Sequence, residues 1–185
     1  MIILTTSHRP TRRVRSLCND LASTIPGLVR VNRGKMGLID VAEKSIHAGS
    51  GKFIVVDRWK GCPGRIRLYK VNDGEIREEA PRIYVSGVKL RREFKTPFGK
   101  RREKVNSLFL NMSGALDSER EKFRLKLSEF LEVPALKIGG ETLNYQAYMH
   151  VGVGEDCWAY ISFFLLPGRA EIGPRIKISH VVWDI

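Results

Sequence analysis

No stretch of the 185 residues approaches the roughly 18 consecutive apolar positions that a membrane-spanning helix needs. The N-terminal residues lack a signal-peptide pattern, because the apolar run Ile2-Ile3-Leu4 meets arginines almost at once. An intracellular, cytoplasmic protein is expected. Cysteine is scarce: Cys18, Cys62 and Cys157 are odd in number and widely spaced. That argues against a disulfide framework and against a zinc site, both of which need closer groupings. Acidic residues are in short supply, with 20 Asp and Glu against 32 Lys and Arg, a formal net charge of +12 and a pI near 9.9. A folded chain this basic meets a polyanion, either nucleic acid or an anionic membrane surface. General solubility is the competing explanation, but these cations cluster.

Catalytic signatures are missing as well. Gly49-Ser50-Gly51-Lys52 invites a phosphate-loop reading, but that motif needs glycine where the chain has Ile46 and Ser or Thr where it has Phe53. Gly152-Val153-Gly154 lacks the third glycine of a dinucleotide fingerprint. His8, His47, His150 and His180 have no ligand-like spacing, and Asp40, Asp57 and Asp156 stand alone rather than as paired carboxylates. The expectation is a non-enzyme with no catalytic residue, cofactor, metal or small-molecule substrate.

What is present is an α/β pattern, of mixed α+β type. Periodicity predicts strand 2–6, helix 11–25, strand 28–32, helix 37–48, and strands 52–59, 64–72 and 82–89. In the first helix Val14, Leu17, Cys18, Leu21 and Ile25 form one stripe, with Arg12 opposite it and Arg13 and Arg15 on the flanks. In the second, Leu38, Val41, Ala42, Ser45 and Ile46 share a face. Residues 89–104 change character: Lys89, Arg91, Arg92, Lys95, Lys100, Arg101, Arg102 and Lys104 face only Glu93 and Glu103, and an exposed basic connector is expected. Phe94 and Phe98 lie inside it with few apolar neighbours and are candidates for base stacking.

The pattern then restarts. Residues 107–113 resemble residues 1–7, a strand ending in small polar residues, and the helix that follows carries Phe123, Leu127, Phe130 and Leu131 on one face, with Ser118 and Glu121 placed for a capping box. Strands are predicted at 146–153, 157–166 and 175–183. A repeat of roughly 110 residues predicts two similar halves, about 1–88 and 105–185, packed around an approximate two-fold axis within a single domain. The halves differ in charge. The first turn of the first helix is rich in arginine, while the matching turn of the second half holds Asp117, Glu119 and Glu121, which suit the helix dipole and repel phosphate.

Leu4-Thr5-Thr6-Ser7-His8-Arg9-Pro10, Val31-Asn32-Arg33-Gly34-Lys35, Arg58-Trp59-Lys60-Gly61-Cys62-Pro63-Gly64 and Glu171-Ile172-Gly173-Pro174-Arg175-Ile176-Lys177-Ile178 follow the order of the Brix domain. The chain resembles that family over essentially its whole length, in a domain-only form that looks archaeal. Trp59 and Cys62 depart from the more polar residues expected there. The resemblance implies a ribosome-biogenesis factor that binds ribosomal RNA or its precursor during subunit assembly and rRNA processing. It also implies halves that each resemble the anticodon-binding domain of class IIa aminoacyl-tRNA synthetases. The family's motif residues fall on Thr5, Thr6, Ser7, Arg9, Pro10, Asn32, Arg33, Gly34, Gly61, Pro63, Gly173, Pro174 and Arg175.

The predicted RNA contacts are therefore Arg9, Arg12, Arg13, Arg15, Arg33 and Lys35, the connector cations Arg91, Arg92, Lys95, Lys100, Arg101, Arg102 and Lys104, and Arg175. Other ribosome-assembly proteins are further expected partners. A protein-binding scaffold whose basic face meets acidic partners, or an RNA-processing enzyme, are the rival classes.

Overall fold

A computed structural model describes residues 1–96 and 103–185. The strand β1 (Ile2–Thr6) is buried along its whole length. Ile2, Ile3 and Leu4 are its apolar run, as in parallel strands covered on both faces. Thr5 and Thr6 are buried with them, the Thr5 hydroxyl donating to the Val31 carbonyl. It lies between β2 (Leu28–Arg30) and β3 (Lys52–Trp59), parallel to both. The helix α1 (Arg12–Thr24) connects β1 to β2, and α2 (Leu38–His47) connects β2 to β3. Alternate residues of β1 divide between two clusters. Ile2 and Leu4 pack with Val14, Leu17 and Leu21 of α1, while Ile3 packs with Val41 and Ala42 of α2. The two helices therefore cover opposite faces of the sheet.

Two hairpins extend the sheet through β4 (Cys62–Asn72) and β5 (Glu75–Lys89). The remaining strands are β6 (Leu108–Asn111), β7 (Ala135–Leu136), β8 (Ala147–Gly154), β9 (Cys157–Leu165) and β10 (Arg175–Val182), and α3 (Ser118–Leu131) joins β6 to β7. The ten strands among the described residues form one mixed sheet in the order β2-β1-β3-β4-β5-β10-β9-β8-β6-β7. β6 is parallel to β7 and β8, as β1 is to β2 and β3. Phe123, Leu127 and Phe130 of α3 join the same core cluster as the apolar stripe of α1, so both helices pack on one face.

The predicted elements are present, with instructive differences. β5 begins at Glu75, seven residues before the predicted start at 82, because Asp73 and Gly74 both adopt positive φ and close a two-residue hairpin turn. The Asp-Gly pair is the sequence signal for that turn. Ile46 is exposed rather than on the packed face of α2. The cap of α3 is Asp117, whose carboxylate accepts from the Glu119 and Arg120 amides, in place of the predicted box on Ser118. β7, two residues long, has no counterpart among the predicted strands.

Candidate nucleic-acid interface

Strand direction decides where the cations gather. β1, β2 and β3 run the same way, and two antiparallel steps through β4 give β5 that direction too. Their C-terminal ends share one edge, the edge at which open α/β sheets bind ligands. His8, Arg9 and Arg12 follow β1, Lys35 follows β2, Arg58 and Lys60 close β3, and Lys89 and Arg92 end β5. β10 is antiparallel to β5 and starts here, with Arg175 paired to Lys89. β6, β7 and β8 run the other way, so the acidic first turn of α3 sits at the opposite end of the strands.

The first turn of α1 is held on both sides. Thr11 caps the helix by accepting from the Val14 amide, and its hydroxyl donates to the Gly61 carbonyl at 2.7 Å, fixing the β3–β4 turn beside the helix start. That turn is Trp59-Lys60-Gly61-Cys62, with Trp59 paired to Cys62 and positive φ at Lys60 and Gly61, the two-residue geometry that matches strand twist. Gly64 is required behind it, because a Cβ there would lie 2.3 Å from the Cβ of Trp59. On the other side Arg13 donates to both carboxylate oxygens of Glu93, at 2.8 and 3.1 Å, and to the Val88 carbonyl. The Asp20 carboxylate accepts from the Arg91 amide at 2.8 Å.

The predicted cations thus fall into two groups. Arg9, Arg12, Arg15, Lys35, Arg92, Lys95 and Lys104 are exposed, and none forms an ion pair among the described residues. Lys104 lies apart from the edge, next to Val105, whose amide donates to the Ser23 carbonyl near the end of α1. The second group corrects the sequence expectation. Arg13 is engaged by Glu93, whose carboxylate raises the arginine's pKa and is itself held below the usual range by it.

Arg33 is 7% exposed, its Nε donates to the Met36 carbonyl, and burial together with nearby Arg67 lowers its pKa. It shapes the loop before α2. Arg91 is 3% exposed and donates to the Glu103 carbonyl. Arg175 is ion-paired with Glu171, and its guanidinium lies over the rings of Phe94 and Tyr160.

Phe94 is corrected as well. It is 8% exposed, packed so closely on Gly173 that a Cβ there would come within 2.3 Å of its ring, with Lys89 4.4 Å from the ring centroid. Residues 89–96 are therefore docked through Leu90, Arg91 and Phe94 rather than forming a free exposed connector. Phe98, Lys100, Arg101 and Arg102 lie outside the described residues.

Among the described residues, the aromatic that is open is Trp59, 69% exposed. The signal that could have found it is the two-residue turn at 60–61, which places its flanking residues at a hairpin tip where no core can reach. Among the described residues no group of three His, Cys, Asp or Glu side chains is placed to hold a metal ion, and no helix is long and apolar enough to cross a membrane.

No family model matches the chain. Similar proteins do. A probable Brix domain-containing ribosomal biogenesis protein of Aeropyrum pernix is 40% identical over 90 residues, 49% of this chain and 50% of the relative. One of Methanopyrus kandleri is 37% identical over 134 residues, 70% of this chain and 66% of the relative. Among solved structures, a probable ribosomal biogenesis protein from Aeropyrum pernix K1 superposes with a TM-score of 0.73 at 26% identity, covering 96% of this chain and 94% of that one.

The chain belongs to the Brix-domain family. An archaeal Imp4-like protein shares the fold of this Brix-domain chain at a TM-score of 0.64 and 22% identity, with 97% of each chain covered. In sequence the chain spans about half the length of the first Aeropyrum pernix relative and 44% of a Thermococcus kodakarensis one. Within this Brix-domain chain, the Thr5–Pro10 and Asn32–Gly34 segments end two adjacent parallel strands at the basic edge.

Proposed function

We propose that this chain is a non-catalytic ribosome-assembly factor that holds ribosomal RNA or its precursor along the edge formed by the ends of β1, β2, β3 and β5. The observation that carries the reading is the set of exposed arginines Arg9, Arg12 and Arg15, left without carboxylate partners at that edge while Arg13 among them is engaged by the protein itself. Unneutralised guanidinium groups on a firm scaffold are suited to backbone phosphates, which set affinity and register with little sequence choice. The names of the archaeal relatives support the ribosome-biogenesis role.

In this reading the protein acts in the cytoplasm, on RNA that other proteins fold or cleave, alongside further assembly proteins. The 185 residues work as one Brix domain. Its two halves are related by an approximate two-fold axis through the β5–β10 seam, each similar to an anticodon-binding domain of the class IIa synthetases. The matching order of parallel and antiparallel strands on either side of that seam supports the relationship.

Salt-titrated binding to pre-rRNA fragments tests the function. For single strands, log affinity should fall against log salt with a slope of about −0.7 per neutralised phosphate. A flat dependence, or no binding at low salt, would overturn it.

A further inference from the structure

Three tryptophans stand in this chain, and two of them have work in the fold. Trp158 packs edge-on against Phe123 with the Arg120 guanidinium over its ring, and Trp183 is half-buried with the Lys122 ammonium 4.1 Å from its ring centroid. Trp59 has no ring or cation contact of this kind among the described residues. It stands 69% exposed at a hairpin tip.

The tip is built rather than slack. Gly64 makes room for the Trp59 backbone and Cβ, the positive-φ pair Lys60 and Gly61 closes the turn, and Thr11 anchors that turn to the start of α1. An open tryptophan ring offers an occupant a large apolar plane with a polar N–H at its edge. The charges around it select that occupant. Arg58 and Lys60 flank Trp59 in sequence, and the Thr11 bond ties the same turn to the start of α1, where His8, Arg9 and Arg12 are exposed. The nearest acid in sequence, Asp57, is taken up by Arg65 and Arg67 at 2.7 and 2.9 Å. An open aromatic plane at a turn that carries Arg58 and Lys60 and is tied to a basic helix start fits a nucleobase attached to phosphate.

We propose that Trp59 is a stacking platform for one unpaired base of RNA whose flanking phosphates lie on Arg58, Lys60 and the start of α1. The inference rests on the RNA-binding reading above and deepens it. It gives the edge a preference for single-stranded or looped RNA over duplex, since only an unpaired base can leave its own stack.

The test compares the full chain with Trp59→Leu and Trp59→Phe, binding a short oligouridylate and, separately, inorganic polyphosphate. Base–aromatic stacking is worth about 1–3 kcal/mol per base, so Trp59→Leu should weaken oligouridylate binding roughly tenfold and leave polyphosphate binding unchanged. Trp59→Phe should retain much of the affinity. Tryptophan fluorescence of the unsubstituted chain should be quenched by the oligonucleotide, and the quenching should disappear in Trp59→Phe. Unchanged oligonucleotide affinity in Trp59→Leu would overturn the proposal and leave the ring to a protein partner. Equal weakening towards both ligands would overturn it too, by making Trp59 a support for the cations. Failure of the unsubstituted chain to bind either ligand would count against the RNA-binding reading itself.

Discussion

Arg13 and Glu93, separated by 80 positions, meet through two guanidinium–carboxylate hydrogen bonds, with the Val88 carbonyl taking a third from the same arginine. The pair ties the first turn of α1 to the segment that follows β5. It also separates Arg13 from its neighbours Arg12 and Arg15, which point into solvent.

The substitution Arg13→Gln should therefore cost stability. A partly exposed ion pair contributes up to about 1 kcal/mol and the hydrogen bond to Val88 about another. Thermal unfolding should show a fall in Tm of several degrees. Arg12→Gln and Arg15→Gln should leave the Tm nearly unchanged.

RNA affinity should respond in the reverse order. Replacing Arg9, Arg12 and Arg15 together by Gln should weaken binding broadly across RNA sequences. The salt slope should become less steep by about 0.7 for each phosphate that is no longer neutralised. Salt titrations of the triple variant against Arg13→Gln alone provide the measurement.

Phe94 and Gly173 pack so closely that no Cβ fits between them, and the glycine sits at positive φ. Gly173→Ala should destabilise the protein by more than about 1 kcal/mol, from strain and displacement of the ring together. Phe94→Ala should cost about 3 kcal/mol by leaving a void against β10. Denaturant unfolding of both variants checks this. If Phe94→Ala leaves the midpoint unmoved, the docking of residues 89–96 is wrong.

His150 gives the stability a pH dependence. Burial lowers its pKa below the ordinary histidine value, Arg124 lowers it further, and Glu171 opposes them. The folded protein thus prefers the neutral ring more than the unfolded chain does. Its contribution is fully present above about pH 6.5 and is lost as pH falls through the folded pKa. Tm measured between pH 7 and 5 should decline, and the decline should be shallower in His150→Phe.

How much of this was legible in the chain depends on what each residue type reports. The stripe of Val14, Leu17, Cys18 and Leu21 located α1, because burial of one helix face is a property of the sequence itself. The clustering of Arg9, Arg12 and Arg15 was equally visible. The partners were not. Arginine has the same letter whether it faces solvent, as at Arg12, a carboxylate, as at Arg13, or the interior, as at Arg33. Only the fold brings Glu93 to Arg13 and Gly173 under Phe94. The polar neighbours of Phe94 suggested exposure, yet its apolar contacts come from the far end of the chain. Trp59 shows the converse: its turn residues were legible, and reading them as a tip would have exposed the ring.

The single ten-stranded sheet sets a length scale. From β2 to β10 the basic edge crosses six adjacent strands. At a strand spacing of about 4.8 Å, the five intervals between them measure about 24 Å. On the proposed RNA-binding reading, an edge of that reach would touch a short local element of RNA, a loop or a junction, and not an extended tract. The number of phosphates it would neutralise is bounded by a width fixed in the backbone. Added surface lysines elsewhere should raise net charge without lengthening that footprint.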